Sequence, residues 1–302
     1  MDLEPAAPLH HEPVLVSDVV ALLSPRPNTV VVDGTVGGGG HSLAMLPHLM
    51  PGGRLIAVDR DAQALAIARG RLTEFSPAVQ FVHDDFRRLP SILSDAGVGR
   101  VDGIVADLGL SSFHVDQPDR GFSFTNDGPL DMRMDRDQTT TAAQLIRRLS
   151  ERELAHLLDT CGEERYARRI ACGIVEARRT QPLDTTSALA QVVRRAVPPA
   201  ARTGRIHPAT RTFLALRIAV NDELSSLQAL LAALPDLLSP GARAVVISFH
   251  SLEDRLVKQA FRRGTAEGAF RLLTKKPVRP AEEEILRNPR SRSAKLRAVE
   301  RI

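Results

Sequence analysis

The sequence predicts an α/β fold, in which an open parallel sheet carries a helical domain inserted after its fourth strand. Apolar runs typical of buried parallel strands alternate with helical segments through residue 107. The first run leads into five glycines within seven positions, a loop that such sheets place where ligands bind. About 135 residues then separate the fourth strand from the next buried one, far more than a crossover helix requires.

The elements follow in order from local signals. Apolar residues at helical spacing predict a helix over 15–23, and Asp61 is a suitable N-cap for a helix that ends near Leu72. Buried strands are predicted over 29–32, 54–58, 79–82, 101–106 and 242–247. The segments 270–273 and 295–299 are expected to form an antiparallel pair that closes the sheet.

The long gap after the fourth strand is where the inserted domain is expected. Helical patterns occupy it over 142–149, 151–158, 165–178 and 187–196. We therefore divide the chain into a first part of the sheet domain, 1–138, an inserted helical domain, 139–206, and a second part of the sheet domain, 207–302. This last part ends in a basic C-terminal segment.

Composition limits the class of protein. With 302 residues and 43% hydrophobic content, the chain can build one α/β core and a smaller module. It has no apolar run of membrane-spanning length, and residues 1–5 lack the features of a signal peptide. Two cysteines and nine histidines show neither a disulfide framework nor a metal-binding spacing. We expect a cytoplasmic protein with no metal and no membrane partner.

The net charge of +4 is unevenly distributed along the chain. Positions 140–217 carry 14 arginines against seven acidic residues, and positions 255–302 carry 14 basic residues against five acidic ones. Two basic regions on an otherwise acidic chain favour a polyanionic partner such as a nucleic acid. The alternative is that these are solvated helix faces in an arginine-rich chain.

Acidic residues around the glycine loop indicate its ligand. The dinucleotide fingerprint G-x-G-x-x-G is absent, because Ser42 stands three positions after Gly39. Asp33 opens the loop, and a carboxylate there favours a cationic or hydroxyl-bearing ligand over a pyrophosphate. Asp59 ends the second strand, where a carboxylate accepts hydrogen bonds from ribose hydroxyls. This pattern favours an adenosyl sulfonium over NAD, and a tight turn without a ligand is the alternative.

Distinctive blocks of sequence stand in order along the chain. They are residues 33–42 (DGTVGGGGHS), 59–61 (DRD), 107–112 (DLGLSS), 120–124 (RGFSF), 127–135 (DGPLDMRMD), 162–165 (GEER), 207–213 (HPATRTF), 247–255 (ISFHSLEDR) and 288–297 (NPRSRSAKLR). Together these blocks resemble the bacterial 16S ribosomal RNA cytosine-N4 methyltransferases, the RsmH/MraW family. The resemblance extends from His11 to Ile302.

The resemblance implies a class I methyltransferase domain that carries an inserted helical domain. It implies an enzyme that uses S-adenosyl-L-methionine to methylate the exocyclic N4 of a cytidine in the decoding region of 16S rRNA. The partner would be 16S rRNA or the small ribosomal subunit. The sequence leaves open whether the chain is a monomer or a homodimer.

The same resemblance implies which residues contact the cofactor. They are Gly39, Gly40, His41, Asp59, Phe86 and Asp107. A further contact falls on His114, where the family motif D-L-G-V-S-S-P-Q has glutamine and this chain reads Phe113-His114. Histidine can still donate or accept one hydrogen bond there. The alternatives are that Phe86 belongs to the core, that Asp59 only begins a helix, and that His41 contributes only its backbone N–H.

Asp107 is the candidate catalytic residue. Cytosine N4 is a poor nucleophile because its lone pair is delocalised into the ring, so an acceptor bonded to the amine protons would assist transfer. We expect Asp107 to be that acceptor, with polar help from Ser111 or Ser112. Phe113 would stack on the flipped base. The alternative is that Asp107 contacts only the methionine amino group.

The inserted domain and the C-terminal segment are expected to bind RNA. The candidate phosphate contacts are Arg211, Arg290, Arg292 and Lys295, so affinity should fall steeply with salt. Two rival functions are a non-catalytic RNA-binding or assembly factor on the same scaffold and an NAD-dependent oxidoreductase. The glycine spacing disfavours the oxidoreductase.

Overall fold

The computed structural model describes residues 13–204 and 206–302. The described residues form two compact units. The larger unit contains the residues up to Ser111 together with Leu224–Ile302, and the smaller unit contains Ser112–Glu223. The predicted absence of a signal peptide over residues 1–5 lies outside the described residues. Within these ranges no helix combines the length and the apolar character that crossing a membrane requires.

The larger unit contains a seven-stranded sheet in the order β3-β2-β1-β4-β5-β7-β6. The strands are β1 Val30–Asp33, β2 Arg54–Asp59, β3 Val79–His83, β4 Val101–Asp107, β5 Leu238–Ser248, β6 Phe270–Leu272 and β7 Lys295–Arg301. The first five pair in parallel, whereas β7 is antiparallel to both β5 and β6. The predicted α/β class and the antiparallel C-terminal pair are confirmed.

The α-helices alternate with the strands in the larger unit and follow one another in the smaller one. In chain order they are α1 Val16–Leu23, α2 Gly40–Leu49, α3 Ala62–Arg71, α4 Leu89–Asp95, α5 Ser112–Asp116, α6 Ala142–Arg148, α7 Glu151–Gly162, α8 Ala167–Thr180, α9 Thr186–Ala196, α10 Pro199–Arg202, α11 Thr210–Asn221, α12 Glu223–Leu237, α13 Ser251–Ala266 and α14 Glu282–Arg287.

Both faces of the sheet are buried, which is why its strands read as continuous apolar runs. Val32 and Ile56 belong to one core cluster, while their chain neighbours Val31 and Leu55 belong to the other. Successive side chains of a strand point to opposite faces, so each strand supplies both clusters. The candidate site therefore lies at the ends of the strands and not on either face of the sheet.

The smaller unit is helical and has strong local start signals. Thr141 and Ser150 form capping boxes with Gln144 and Glu153 at the first turns of α6 and α7. This unit contains the whole segment 139–206 that the sequence predicts as an insertion, and it also takes in residues 112–138 and 207–223. The predicted limits of the insertion stay a prediction.

Candidate functional site

The glycine loop between β1 and α2 is held against the ends of neighbouring strands. The N–H of Gly34 donates to the carbonyl of Val105 on β4 at 2.9 Å. Gly37 and Gly39 adopt φ angles of 50° and 79°, in the left-handed region that favours glycine. The loop can therefore bring its backbone N–H groups to the start of α2 without side chains in the way.

Asp59, at the end of β2, fixes this loop. One carboxylate oxygen accepts the N–H of Gly37 at 2.8 Å, and the other accepts the N–H of Asp61 at 2.9 Å. The helix cap of α3 is Asp61, whose side chain accepts the N–H of Gln63. Burial raises the pKa of Asp59 to about 6, although these two hydrogen bonds oppose the rise. Each oxygen has a second lone pair, so Asp59 can still accept from a hydroxyl.

Asp33, at the start of the loop, accepts hydrogen bonds from other residues of the protein. Its carboxylate accepts the hydroxyl of Ser42 at 2.7 Å and the N–H of Thr35 at 3.2 Å. Burial raises the pKa of Asp33, and the Ser42 hydrogen bond opposes the rise. This carboxylate therefore joins the loop to the first turn of α2.

His41 lies between the chain before α1 and the end of β4. Its Nε2 is 2.8 Å from the carbonyl oxygen of Val14, and its Nδ1 is 3.7 Å from Oδ2 of Asp107. A carbonyl only accepts, so Nε2 carries the proton of this hydrogen bond. The side chain of His41 therefore lies beside Asp107, and its contact with a cofactor stays a prediction.

Asp107, at the end of β4, has unused hydrogen-bonding capacity. Its backbone N–H donates to the hydroxyl of Thr35 at 2.6 Å, but its buried Oδ1 has no hydrogen-bond partner among the described residues. Burial raises the pKa of Asp107 to about 7; His41 opposes the rise, and the carboxylates of Asp33 and Glu253 add to it. A buried carboxylate in this state is suited to a cationic donor or to accepting a proton near neutral pH.

Residues 13–15 cover the loop, a feature that the sequence patterns do not predict. A Cβ added to Gly40 would lie 2.7 Å from Cγ of Pro13. Leu15 adopts φ 54° and ψ 36°, and its N–H donates to Oε1 of Glu284 on α14 at 2.8 Å. No local pattern signals this hydrogen bond, because Leu15 and Glu284 are 269 positions apart.

Phe86 follows β3 and is mostly buried. It belongs to the core cluster, and its Cβ would be 3.4 Å from a Cβ added to Gly34 in the loop. The guanidinium of Arg60 lies 5.8 Å from the centre of its ring. Phe86 is thus a core residue at the edge of the loop, and its contact with an adenine ring stays a prediction.

His114 is buried in the smaller unit. Its ring centre is 4.2 Å from that of Phe113 and 5.2 Å from that of Phe122, and the guanidinium of Arg120 lies 5.9 Å from the Phe113 ring. The side chain of Ser112 lies outside the described part of the chain. Cofactor contact by His114 and base stacking by Phe113 stay predictions.

The candidate phosphate contacts of the C-terminal segment differ in their surroundings. Nζ of Lys295 is 3.2 Å from the carboxylate of Asp254, which also accepts from Nε of Arg297 at 2.7 Å. Arg292, by contrast, is exposed. The charge of Lys295 is therefore largely compensated within the protein, and Arg292 is the better placed of the two for a phosphate.

Comparisons with known proteins show the family to which the chain belongs. A family model described as the MraW methylase family matches residues 8–302. A curated relative from Anaeromyxobacter sp. (strain K), named ribosomal RNA small subunit methyltransferase H, is 50% identical over 98% of this chain and 99% of its own length. A relative of the same name from Geobacter sp. (strain M21) is 48% identical over 97% and 99%. Among solved structures, TrmN from Thermus thermophilus aligns with 95% of this chain and 48% of its own, at 14% identity and a TM-score of 0.45, a likeness too distant to carry a conclusion.

Proposed function

Because the chain belongs to the MraW methylase family, whose methyl donor is S-adenosylmethionine, we propose that it methylates small-subunit ribosomal RNA. The curated relatives that share about half of its residues are named for that activity. The finer part of the proposal is the acceptor, the exocyclic N4 of a cytidine in the decoding region of 16S rRNA. Its partner would then be 16S rRNA or the small ribosomal subunit, in the cytoplasm.

The observation that carries the proposal is the open acceptor on Asp107. S-adenosylmethionine has an ammonium group, ribose hydroxyls and a positively charged sulfur. The buried Oδ1 of Asp107 lacks a donor among the described residues, and Asp59 keeps lone pairs for hydroxyls. The hydrogen-bond acceptors of the site therefore fit this cofactor. We propose that Gly39, Gly40, His41, Asp59, Phe86, Asp107 and His114 hold it.

The mechanism we propose uses the protein mainly to align and to accept charge. S-adenosylmethionine supplies an electrophilic methyl group when bound. Asp107 would accept a hydrogen bond from the N4 amine and receive the proton that this nitrogen loses on methylation. A carboxyl whose pKa is about 7 is matched to that task near neutral pH. The alternative role for Asp107 is to hold the ammonium group of the cofactor.

Kinetics of Asp107→Asn separate these two roles. If Asp107 accepts the amine proton, turnover falls by about 10²–10⁴-fold at saturating S-adenosylmethionine. If it only holds the ammonium group, KM for the cofactor rises while turnover at saturation is retained. Asp95→Asn, an exposed carboxylate at the end of α4, is the matched control.

The substrate is tested by mapping modified nucleosides in small-subunit rRNA from a strain that lacks the gene. We expect loss of N4 methylation at one cytidine of the decoding region and its return when the purified protein and S-adenosylmethionine are added to small subunits. Loss at a different base would refute the assignment to the N4 of a decoding-region cytidine. It would not refute methylation of small-subunit rRNA. Cofactor binding without any methyl transfer would instead indicate a non-catalytic RNA-binding factor.

A further inference from the structure

Two of the distinctive sequence blocks, 162–165 and 207–213, meet in the smaller unit. Nη1 of Arg211 donates to the carbonyl of Glu163 at 2.8 Å. A Cβ added to Gly162 would lie 2.7 Å from the carbonyl oxygen of Arg211, so only glycine permits this approach. The catalytic proposal above gives these blocks no role, and they lie together beside Tyr166.

Tyr166 is the only tyrosine of the chain and lies between two cavities. A cavity of about 830 Å³ is lined by residues of α7 and the start of α8, and a second, of about 370 Å³, is lined by residues that include Val197, His207 and Arg211. Tyr166 and Arg165 line both. The buried side chain of Glu164 accepts the N–H of Tyr166 at 2.9 Å, which fixes the backbone that carries the ring. Cavities of this size accommodate a small ligand or part of a larger one.

Arginines surround the ring. The larger cavity is lined by Arg152, Arg165, Arg168 and Arg169, all of them exposed. The guanidinium of Arg165 lies 5.6 Å from the centre of the Tyr166 ring. Among the described residues, Arg168 and Arg169 have no ion-pair partner, although Glu151 and Asp159 also line the cavity. Arginines that lie beside an aromatic ring and have no ion-pair partner favour a ligand that is both anionic and aromatic.

His207, which lines the smaller cavity, belongs to an aromatic pair. The ring of His207 stacks on Phe124 with centres 4.6 Å apart and planes inclined by 27°. Phe124 is itself held by Phe213 in an edge-on contact at 4.9 Å. The Nδ1 of His207 accepts the N–H of Ala209, so the exposed ring is fixed in orientation. The two cavities thus present Tyr166 and His207 as flat aromatic surfaces along one path.

We propose that this path, the Tyr166 groove, binds an unpaired stretch of RNA. A base stacks on Tyr166, and Arg165, Arg168 and Arg169 contact the phosphates on either side. Bases inside a duplex are already stacked on each other, so an aromatic ring flanked by cations selects a single strand. The inference rests on the proposed function for the identity of the RNA, and it adds a binding site away from the glycine loop.

The test measures binding of a single-stranded oligonucleotide from the 16S decoding region by fluorescence anisotropy, using the full chain. Tyr166→Leu is expected to weaken binding about tenfold, whereas Tyr166→Phe, which keeps the ring, retains it. Arg168→Gln combined with Arg169→Gln should reduce the slope of log affinity against log salt by about 0.7 for each phosphate that the variant no longer neutralises. Arg168→Gln alone is compared with Arg179→Gln, a charge-matched control at an exposed arginine of α8 outside both cavities.

Equal affinity of the wild type, Tyr166→Leu and the double arginine variant would overturn the groove, even if the wild type methylates rRNA. An equal loss in Arg179→Gln and in Arg168→Gln alone would reduce the effect to general charge and also overturn it. Tighter binding of a duplex than of the single strand would do the same. If the Tyr166 and arginine effects appear but no small-subunit RNA is methylated, the groove stands and the proposed function fails. The exposed arginine variants keep the test valid if Tyr166→Leu does not fold.

Discussion

Replacing Asp107 by asparagine is expected to stabilise the ligand-free protein at pH 8 while it impairs methyl transfer. The carboxylate is partly buried at the end of β4, near the carboxylates of Asp33 and Glu253, and its buried Oδ1 has no hydrogen-bond partner among the described residues. Its ionised form is therefore an unfavourable feature of the folded protein. Asparagine keeps the shape and removes the charge.

The size of the effect follows from the pKa of Asp107, which burial raises from 3.8 to about 7. The folded protein binds this proton more tightly than the unfolded chain, so the ionised carboxylate costs nothing below pH 3.8. The cost grows as the pH rises from about 4 to about 7 and is constant above that range. At about 1.4 kcal/mol per pH unit it reaches about 4 kcal/mol, and we expect at least half of it in practice. About 2 kcal/mol corresponds to a rise in Tm of about 4–8 °C for a domain of this size.

The assay is urea unfolding of the ligand-free wild type and Asp107→Asn at pH 5 and at pH 8. The stability difference between the two proteins should be larger at pH 8, whereas Asp95→Asn should show no such dependence. A variant that is no more stable than the wild type at pH 8, or a difference that shrinks as the pH rises, would refute the reasoning.

Two further predictions concern the segment that covers the glycine loop. Gly40→Ala should weaken S-adenosylmethionine binding by about 1–3 kcal/mol in calorimetry, because its Cβ would lie 2.7 Å from Pro13. Gly38→Ala, whose Cβ would be 3.8 Å from the nearest atom, should bind like the wild type, and equal losses in both would count against this account. Glu284→Ala removes the acceptor of the Leu15 N–H and should weaken cofactor binding several-fold, whereas Glu284→Gln keeps an acceptor oxygen and should not. Glu283→Ala, on the exposed side of the same helix, is its control, and a loss there of the same size would contradict a specific role for Glu284.

Much of the larger unit could be predicted from sequence. The runs before Asp33, Asp59 and Asp107 are strands, and the three carboxylates lie at strand ends as expected. The alternation of apolar strands with helices is a local signal, and parallel strands place their carboxyl ends at one edge. What each carboxylate does there was not predictable. Asp33 binds Ser42 inside the loop, while Asp107 keeps an open oxygen.

The sequence by itself determined the fold class, the glycine loop and the family, because these depend on residue periodicity and on blocks of adjacent residues. The tertiary structure decided which side chains meet across long separations. It placed Glu284 on Leu15, paired Lys295 with Asp254, and brought Arg211 to the turn before Tyr166. Such contacts depend on how elements pack, and no local period records them. Burial, which decides the protonation of Asp107, is likewise a property of the packed chain.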